Sequence, residues 1–269
     1  MKLKLTLAIT AIAFLILFIY LDKLTPYRYD EINLDKRFLP PSLEHILGTD
    51  ALGRDVFTRI IHGLKLSLTL SILSIALSSV LGSTLGILSA LSKQFREVLD
   101  LLFNFFYVVP SIFIATLTAF ITGSGVHVVV IAIVLRLFPT FYRIIKTVTL
   151  TIYVQPYVEA TKALGASLPY ILMNHIVREA LRVIAILSIY SLPDALSIEL
   201  SVNFLGLGIK PPTPSLGGIL AENINYITIA PHIVVSLIAI VFIIVFIAEI
   251  IVEKIDGCLM NGMTCKTYI

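Results

Sequence analysis

Residues 101–135 read LLFNFFYVVPSIFIATLTAFITGSGVHVVVIAIVL, thirty-five positions without one Lys, Arg, Asp or Glu. A helix rising ~1.5 Å per residue needs about 20 apolar residues to cross ~30 Å of hydrocarbon. The stretch is too long for one span and long enough for two. Thr122-Gly123-Ser124-Gly125 supplies the turn, and the second helix continues past Arg136. Working outward, Leu66 to Ser92 is uncharged for 27 residues, and Asn223 to Ala248 for 26. Leu5 to Leu21 is uncharged for 17, and Val183 to Ile209 is apolar apart from Asp194, Glu199 and an internal Pro193. The expectation is an all-α polytopic membrane protein with six transmembrane helices.

Composition excludes the other classes. The chain of 269 residues is 58% hydrophobic and 14% charged, with mean hydropathy +0.98. Soluble domains run near ~45–50% apolar and ~25% charged, and a chain this size keeps too much surface wet to hide the excess. The surplus must face lipid. A net charge of +3 gives no basis for nucleic-acid binding. Cys258 and Cys265 have no second Cys or His pair to complete a zinc site, so they read as unrelated thiols.

Lys2 and Lys4 before an apolar run resemble a signal peptide. The run, however, ends in Leu21-Asp22-Lys23 with no small-residue cleavage site, which favours a retained anchor over residues 1–21. With the N-terminus inside, eleven basic residues fall in inner stretches and eight in outer ones, seven of these in the loop 22–65. Both termini are therefore expected in the cytoplasm, with a five-helix core over 66–257 and a tail over 258–269.

Three loop segments carry pattern. In the outer loop, Asp50 is placed to cap a helix and Gly63 to end its first segment. Leu52, Val56, Phe57, Ile60 and Ile61 recur at helical spacing, as in an amphipathic helix lying on the membrane. In the inner loop 155–178, Tyr157 to Leu164 are good helix formers and Gly165 follows the helix end. Ser167 can cap a second helix with Pro169 in its first turn. Leu168, Ile171, Leu172 and Ile176 share a face that needs covering, either by the protein's own helix ends or by a partner. Third, Phe204 to Gly218 is rich in Gly and Pro and reads as a shaped external segment.

Together these segments resemble the permease subunits of ATP-binding-cassette importers of the dipeptide/oligopeptide/nickel group, the shorter of its two permeases. The resemblance rests on Gly48-Thr-Asp-x-x-Gly-Arg-Asp55, on Glu159-Ala-x-x-x-x-Gly165, and on Phe204-Leu-Gly-Leu-Gly208 with Pro211-Pro-Thr-Pro-Ser215. It implies a type I importer permease fold in a cell membrane and a peptide or nickel-type cargo. Glu159, Ala160 and Gly165 would form the element that couples to ATPase subunits. It also implies a homologous second permease, two ATP-binding-cassette ATPases and an extracytoplasmic substrate-binding protein as partners. ATP and Mg would be bound on those partners. No cofactor, metal or catalytic residue is expected in this chain, which lacks a Gly-x-x-x-x-Gly-Lys-Ser/Thr loop. Val177-Arg178 stand where the family has Leu-Pro, so the second loop helix is expected to run unbroken into the fifth span.

Charges inside a bilayer usually face protein or water. Asp194, Glu199 and Arg136 are candidates to line a translocation path, with neighbouring helices as the alternative environment. A self-sufficient secondary transporter using Asp194 and Glu199 as ion sites is the rival reading. An intramembrane enzyme would need a nucleophile–base pair or metal motif, and the scattered histidines and the serines of the second span supply none. Gly82-x-x-x-Gly86 reads as a close helix contact.

Overall fold

The computed structural model describes residues 25–264, with the backbone alone at 248 and 251–264. The span expected over residues 5–21 lies outside them. Eight helices follow in order: α1 Val56–Leu91, α2 Lys93–Val108, α3 Ser111–Thr122, α4 Val126–Tyr153, α5 Pro156–Ala163, α6 Leu168–Phe204, α7 Leu216–Asn223 and α8 Pro231–Thr264. The chain is all-helical among the described residues apart from short 3-10 turns and a single bridge between Thr49 and Asp55. α1, α4 and α6 are each long and apolar enough to cross a membrane, and α2 with α3 make a fourth if counted as one broken span. The apolar part of α8, Pro231–Ile247, is shorter.

The centre is α1 lying parallel to α4. Ser67, Ser71, Ser74, Ser78 and Gly82 are buried along one side of α1, and small residues let two backbones approach closely. A Cβ at Gly82 would run into the Phe138 carbonyl oxygen, and one at Gly86 would stand 2.9 Å from that of Tyr142. The close contact expected from Gly82-x-x-x-Gly86 is therefore with α4. α6 returns antiparallel and closes a core of Leu70, Ile75, Val129, Ile133, Phe141, Ala195 and Val202.

Several boundaries differ from expectation, each for a local reason. Asp55, not Asp50, caps α1, its carboxylate accepting the Thr58 N–H at 2.8 Å. α1 does not break at Gly63. Its first two turns are not a separate surface helix, because Val56 and Ile60 are buried against Leu216, Ile219 and Ile233. The apolar stretch 101–135 turns at Gly123–Gly125 as read, but it also breaks at Pro110. Proline lacks an N–H and forces the preceding residue out of helical geometry, and α2 and α3 meet at 92°. The sixth apolar run becomes helical as α8 only at Pro231, since α7 and a 3-10 turn occupy 216–226. α6 runs without interruption from Leu168, through a π-helical stretch at Leu172–Ile176, as the missing proline led one to expect.

Candidate functional site

Two built regions stand at opposite ends of α1, roughly 50 Å apart at 1.5 Å per residue. At one end α5 and the start of α6 form a projecting tip. Pro156 sits in the first turn of α5, where its missing N–H costs nothing. The helix stops at Gly165, whose φ of +84° is left-handed and disfavours any residue with a Cβ. The Gly165 N–H reaches the Lys162 carbonyl at 2.9 Å and the Ala166 N–H the Thr161 carbonyl at 3.2 Å, a Schellman closure. Lys162 folds back onto Tyr153, its ammonium 3.3 Å from the ring centroid and 3.2 Å from the Tyr153 carbonyl oxygen.

This tip has two faces. Val158, Ile171 and Ile176 are buried with Ile152 of α4, so the protein covers part of the apolar face expected around Ile171 and Ile176. The opposite face is left open: Tyr157, Leu164, Leu168, Tyr170 and Met173 are exposed, Leu164 at 89%. Glu159 and Ala160 lie exposed on the same short helix, and Gly165 is open, with nothing within 4 Å of the position its Cβ would take. The three residues expected to couple, Glu159, Ala160 and Gly165, thus all lie exposed on this tip.

At the other end the segment Gly48–Asp55 is wound into a charged knot. Asp50 accepts the backbone N–H groups of Leu52 and Arg54 at 2.8 and 3.0 Å through one oxygen. Its other oxygen takes Arg54 Nε and Arg59 Nη1, each at 2.7 Å. Both arginines then reach α7: Arg54 to Glu222 Oε2 at 2.6 Å and Arg59 to the same atom at 2.8 Å. Burial alone would raise the Glu222 carboxyl, but the hydrogen bond and charge of Arg59, with Arg54 beside it, hold it below the usual range. His45 Nδ1 lies 2.9 Å from Asp55 Oδ1 on the knot's other side.

The intramembrane candidates are not brought together. Glu199 is fully buried within the chain, its Oε1 receiving Ser67 Oγ–H and an Asn203 amide N–H, each at 2.7 Å. Ser67 also accepts the Leu216 N–H at 3.4 Å, so Glu199 ties α1, α6 and the start of α7 together. Asp194 is exposed five residues earlier on α6, about 140° round the helix from Glu199. Arg136 lies on α4 with its guanidinium 5.4 Å from the centre of the Tyr107 ring. Sequence reading missed Ser67, Asn203, Glu222 and Tyr107. Of these only Glu222 had a signal, since two arginines at the start of an apolar helix demand acids nearby.

The comparisons agree with this architecture. Residues 82–257 match the family model for the inner membrane component of binding-protein-dependent transport systems. The chain is 33% identical over 214 residues to the glutathione transport system permease protein of Pectobacterium atrosepticum, covering 78% of this chain and 68% of that one. It is 30% identical over 231 residues to the dipeptide transport system permease protein of Alkalihalophilus pseudofirmus, covering 86% and 76%. In fold it is similar to the inward-facing MetNI methionine ABC transporter, with TM-score 0.60 at 18% identity over 74% of this chain and 95% of that one. With most of its length matched on both counts, the chain belongs to the family of inner membrane components of binding-protein-dependent transport systems.

Proposed function

We propose that this chain is the permease half of an ATP-driven importer for short peptides, and that the α5 tip is where ATPase subunits grip it. The exposed apolar face beside Glu159, Ala160 and Gly165 carries the reading. Tyr157, Leu164, Leu168, Tyr170 and Met173 project at the end of the bundle where α4 closes and α6 begins, and a patch of that kind on loop segments marks a protein partner. ATP and Mg are assigned to two ATPase partners. A second, homologous permease completes the path, and an extracytoplasmic binding protein delivers cargo at the knotted end. The peptide assignment follows the relatives, which are permeases for glutathione and dipeptides. In the orientation given by the basic residues, the tip is cytoplasmic and the knot external.

The test is co-expression with candidate ATPase, permease and binding-protein genes from the source genome, followed by purification and reconstitution. Wild type is expected to co-purify with the ATPases and to take up a dipeptide only with ATP and the binding protein. Leu164→Asp places a charge on the most exposed apolar position of the tip and should abolish co-purification while leaving membrane insertion intact. Retained co-purification together with ATP-independent uptake by the chain alone would refute the assignment.

A further inference from the structure

The groove between α2 and α4 holds two arginines that nothing described in the chain neutralises. Arg136, Arg143 and Lys146 follow one another on one side of α4, and α2 offers Asp100, Asn104 and Tyr107 opposite them. The three cations are not equivalent. Lys146 is paired with Asp100 at 2.5 Å, and Asp100 also accepts the Tyr142 hydroxyl at 2.8 Å. Arg136 and Arg143 meet only the Tyr107 ring, 5.4 and 5.9 Å from its centroid. Among the described residues neither guanidinium has an acid or a hydrogen-bond acceptor. A cavity of about 170 Å³ opens beside Arg143, lined also by Asn104, Tyr107, Tyr142 and the Asp100–Lys146 pair; Arg136 stands outside this lining and meets it through the Tyr107 ring.

Position gives these charges their meaning. Arg136 is the eleventh residue of α4, a helix of 28, so it stands about 15 Å from one end and 25 Å from the other. That is the middle third of a span, whichever way the chain is oriented. A guanidinium at that depth cannot be left against lipid tails, and a tyrosine face answers only part of its charge. Arg143 follows two turns on, about 10 Å nearer the tip. The open side of the groove must therefore meet water or an anion.

Resting on the importer reading above, we propose that this groove is a wet, anion-selective stretch of the transport path. Arg136 and Arg143 there receive the carboxylate of a peptide cargo, with Tyr107 holding both guanidiniums in place and the Asn104 amide at the rim. The fork of N–H donors on each arginine suits a carboxylate in two-point contact. Glu199 and Asp194 take no part: the first is sealed inside the chain and the second is on another helix.

The test uses the assembled transporter with Cys258 and Cys265 replaced by Ser and a single reporter, Asn104→Cys. Modification rates are measured with anionic sulfonatoethyl and cationic trimethylammonioethyl methanethiosulfonates, each divided by its rate with a free thiol. The anionic reagent is expected to be faster by at least about tenfold, the size of enrichment a charged cleft produces. Arg136→Gln with Arg143→Gln should bring the ratio to about one, whereas Arg136→Lys should keep most of it. Dialanine should slow the anionic reagent, and dialanine amide should not. A reporter that reacts with neither reagent, or a ratio unmoved by the glutamine pair, overturns the proposal. So does protection by phosphatidylglycerol in the vesicles rather than by dialanine, which would make the groove a lipid headgroup site. Dipeptide uptake by the same preparation separates the cases. If uptake persists while the ratio fails, this site is wrong and the importer reading stands.

Discussion

Glu222→Gln tests whether the charged knot is what fastens the outer segment to the helices. Two arginines and two acids balance there. Arg59 is 1% exposed in its side chain and Asp50 2%, while Glu222 retains 27%. Glutamine keeps the size and removes one negative charge, leaving Arg54 and Arg59 to share Asp50. Stripping one partner from a fully buried pair costs about 3–5 kcal/mol. Water reaches part of Glu222 and can replace part of what is lost, so roughly 2–3 kcal/mol is expected here. The assay is heat unfolding of the detergent-solubilised complex, followed by loss of its size-exclusion peak, with proteolysis of residues 25–55 as a local readout. The segment should become cleavable well before the helices fail. Arg54→Gln in the same chain restores neutrality, so the double variant should be less damaged than the sum of the two singles. The lowered Glu222 carboxyl also fixes a sign with pH. Its contribution is complete above the unfolded carboxyl value of about 4.3 and is lost as pH falls through the lower folded value. Wild type and variant should thus differ by a constant amount from pH 6 to 8 and converge in acid. Strict additivity of the two substitutions, or a Glu222→Gln change below about 0.5 kcal/mol, would refute the reasoning.

Three further outcomes follow from the same contacts. Gly165→Ala meets no atom but must hold a left-handed backbone, costing about 1 kcal/mol, whereas Gly165→Val should uncouple ATPase stimulation from uptake without loss of insertion; equal ATPase and uptake in both would count against the tip. Gly82→Ala should harm assembly more than Gly86→Ala, by about 1–3 kcal/mol of packing strain, because its Cβ strikes the α4 backbone harder; the apparent unfolding temperatures of the two variants decide. Ser67→Ala removes a donor to the buried Glu199 carboxyl group and should cost about 1–3 kcal/mol, with Glu199→Gln in the same chain recovering part of it.

Much of this molecule was legible because a bilayer allows few solutions. An uncharged run of residues 101–135 had to be helical, and Gly123–Gly125 had to be its turn. The tip was legible too, since Gly165 after the helix end and Pro169 in the next first turn obey local backbone rules that distant contacts do not alter. What stayed hidden depended on pairing across the fold. Asp50 looked like a cap because it precedes an apolar helical stretch. Its carboxylate is instead spent on Arg54 and Arg59, and Asp55 takes the cap. Glu199 looked like a path residue because hydropathy records that a charge is in a span but not which way it points. Ser67, 132 residues away, decides that. Pro110 was visible as a residue, yet a proline in an apolar run can kink a helix slightly or break it, and the 92° bend, with Leu99 and Phe103 packed on Phe138 and Tyr142 of α4, appears only in the structure.

On the importer reading proposed above, the position of the tip relative to α6 sets how far along the chain a push there would travel. α5 is not a hinged arm. Val158 is buried with Ile152 of α4 and Ile171 and Ile176 of α6, so force on α5 is delivered to two long helices at once. α6 is one helix of 37 residues, with no loop to absorb the displacement. Its two irregularities are the π-helical stretch at Leu172–Ile176 and the internal Pro193, which removes the hydrogen bond to the Ile189 carbonyl. Both are places where a helix bends most cheaply, and they divide α6 into a tip segment, a middle and an end. That end carries Glu199 and Asn203, bonded to Ser67 of α1 and to the backbone at Ile209. Bending at Pro193 would therefore displace the tip and the middle of α6 against an outer end tied to α1 and Ile209, which is the asymmetry the proposed importer would use.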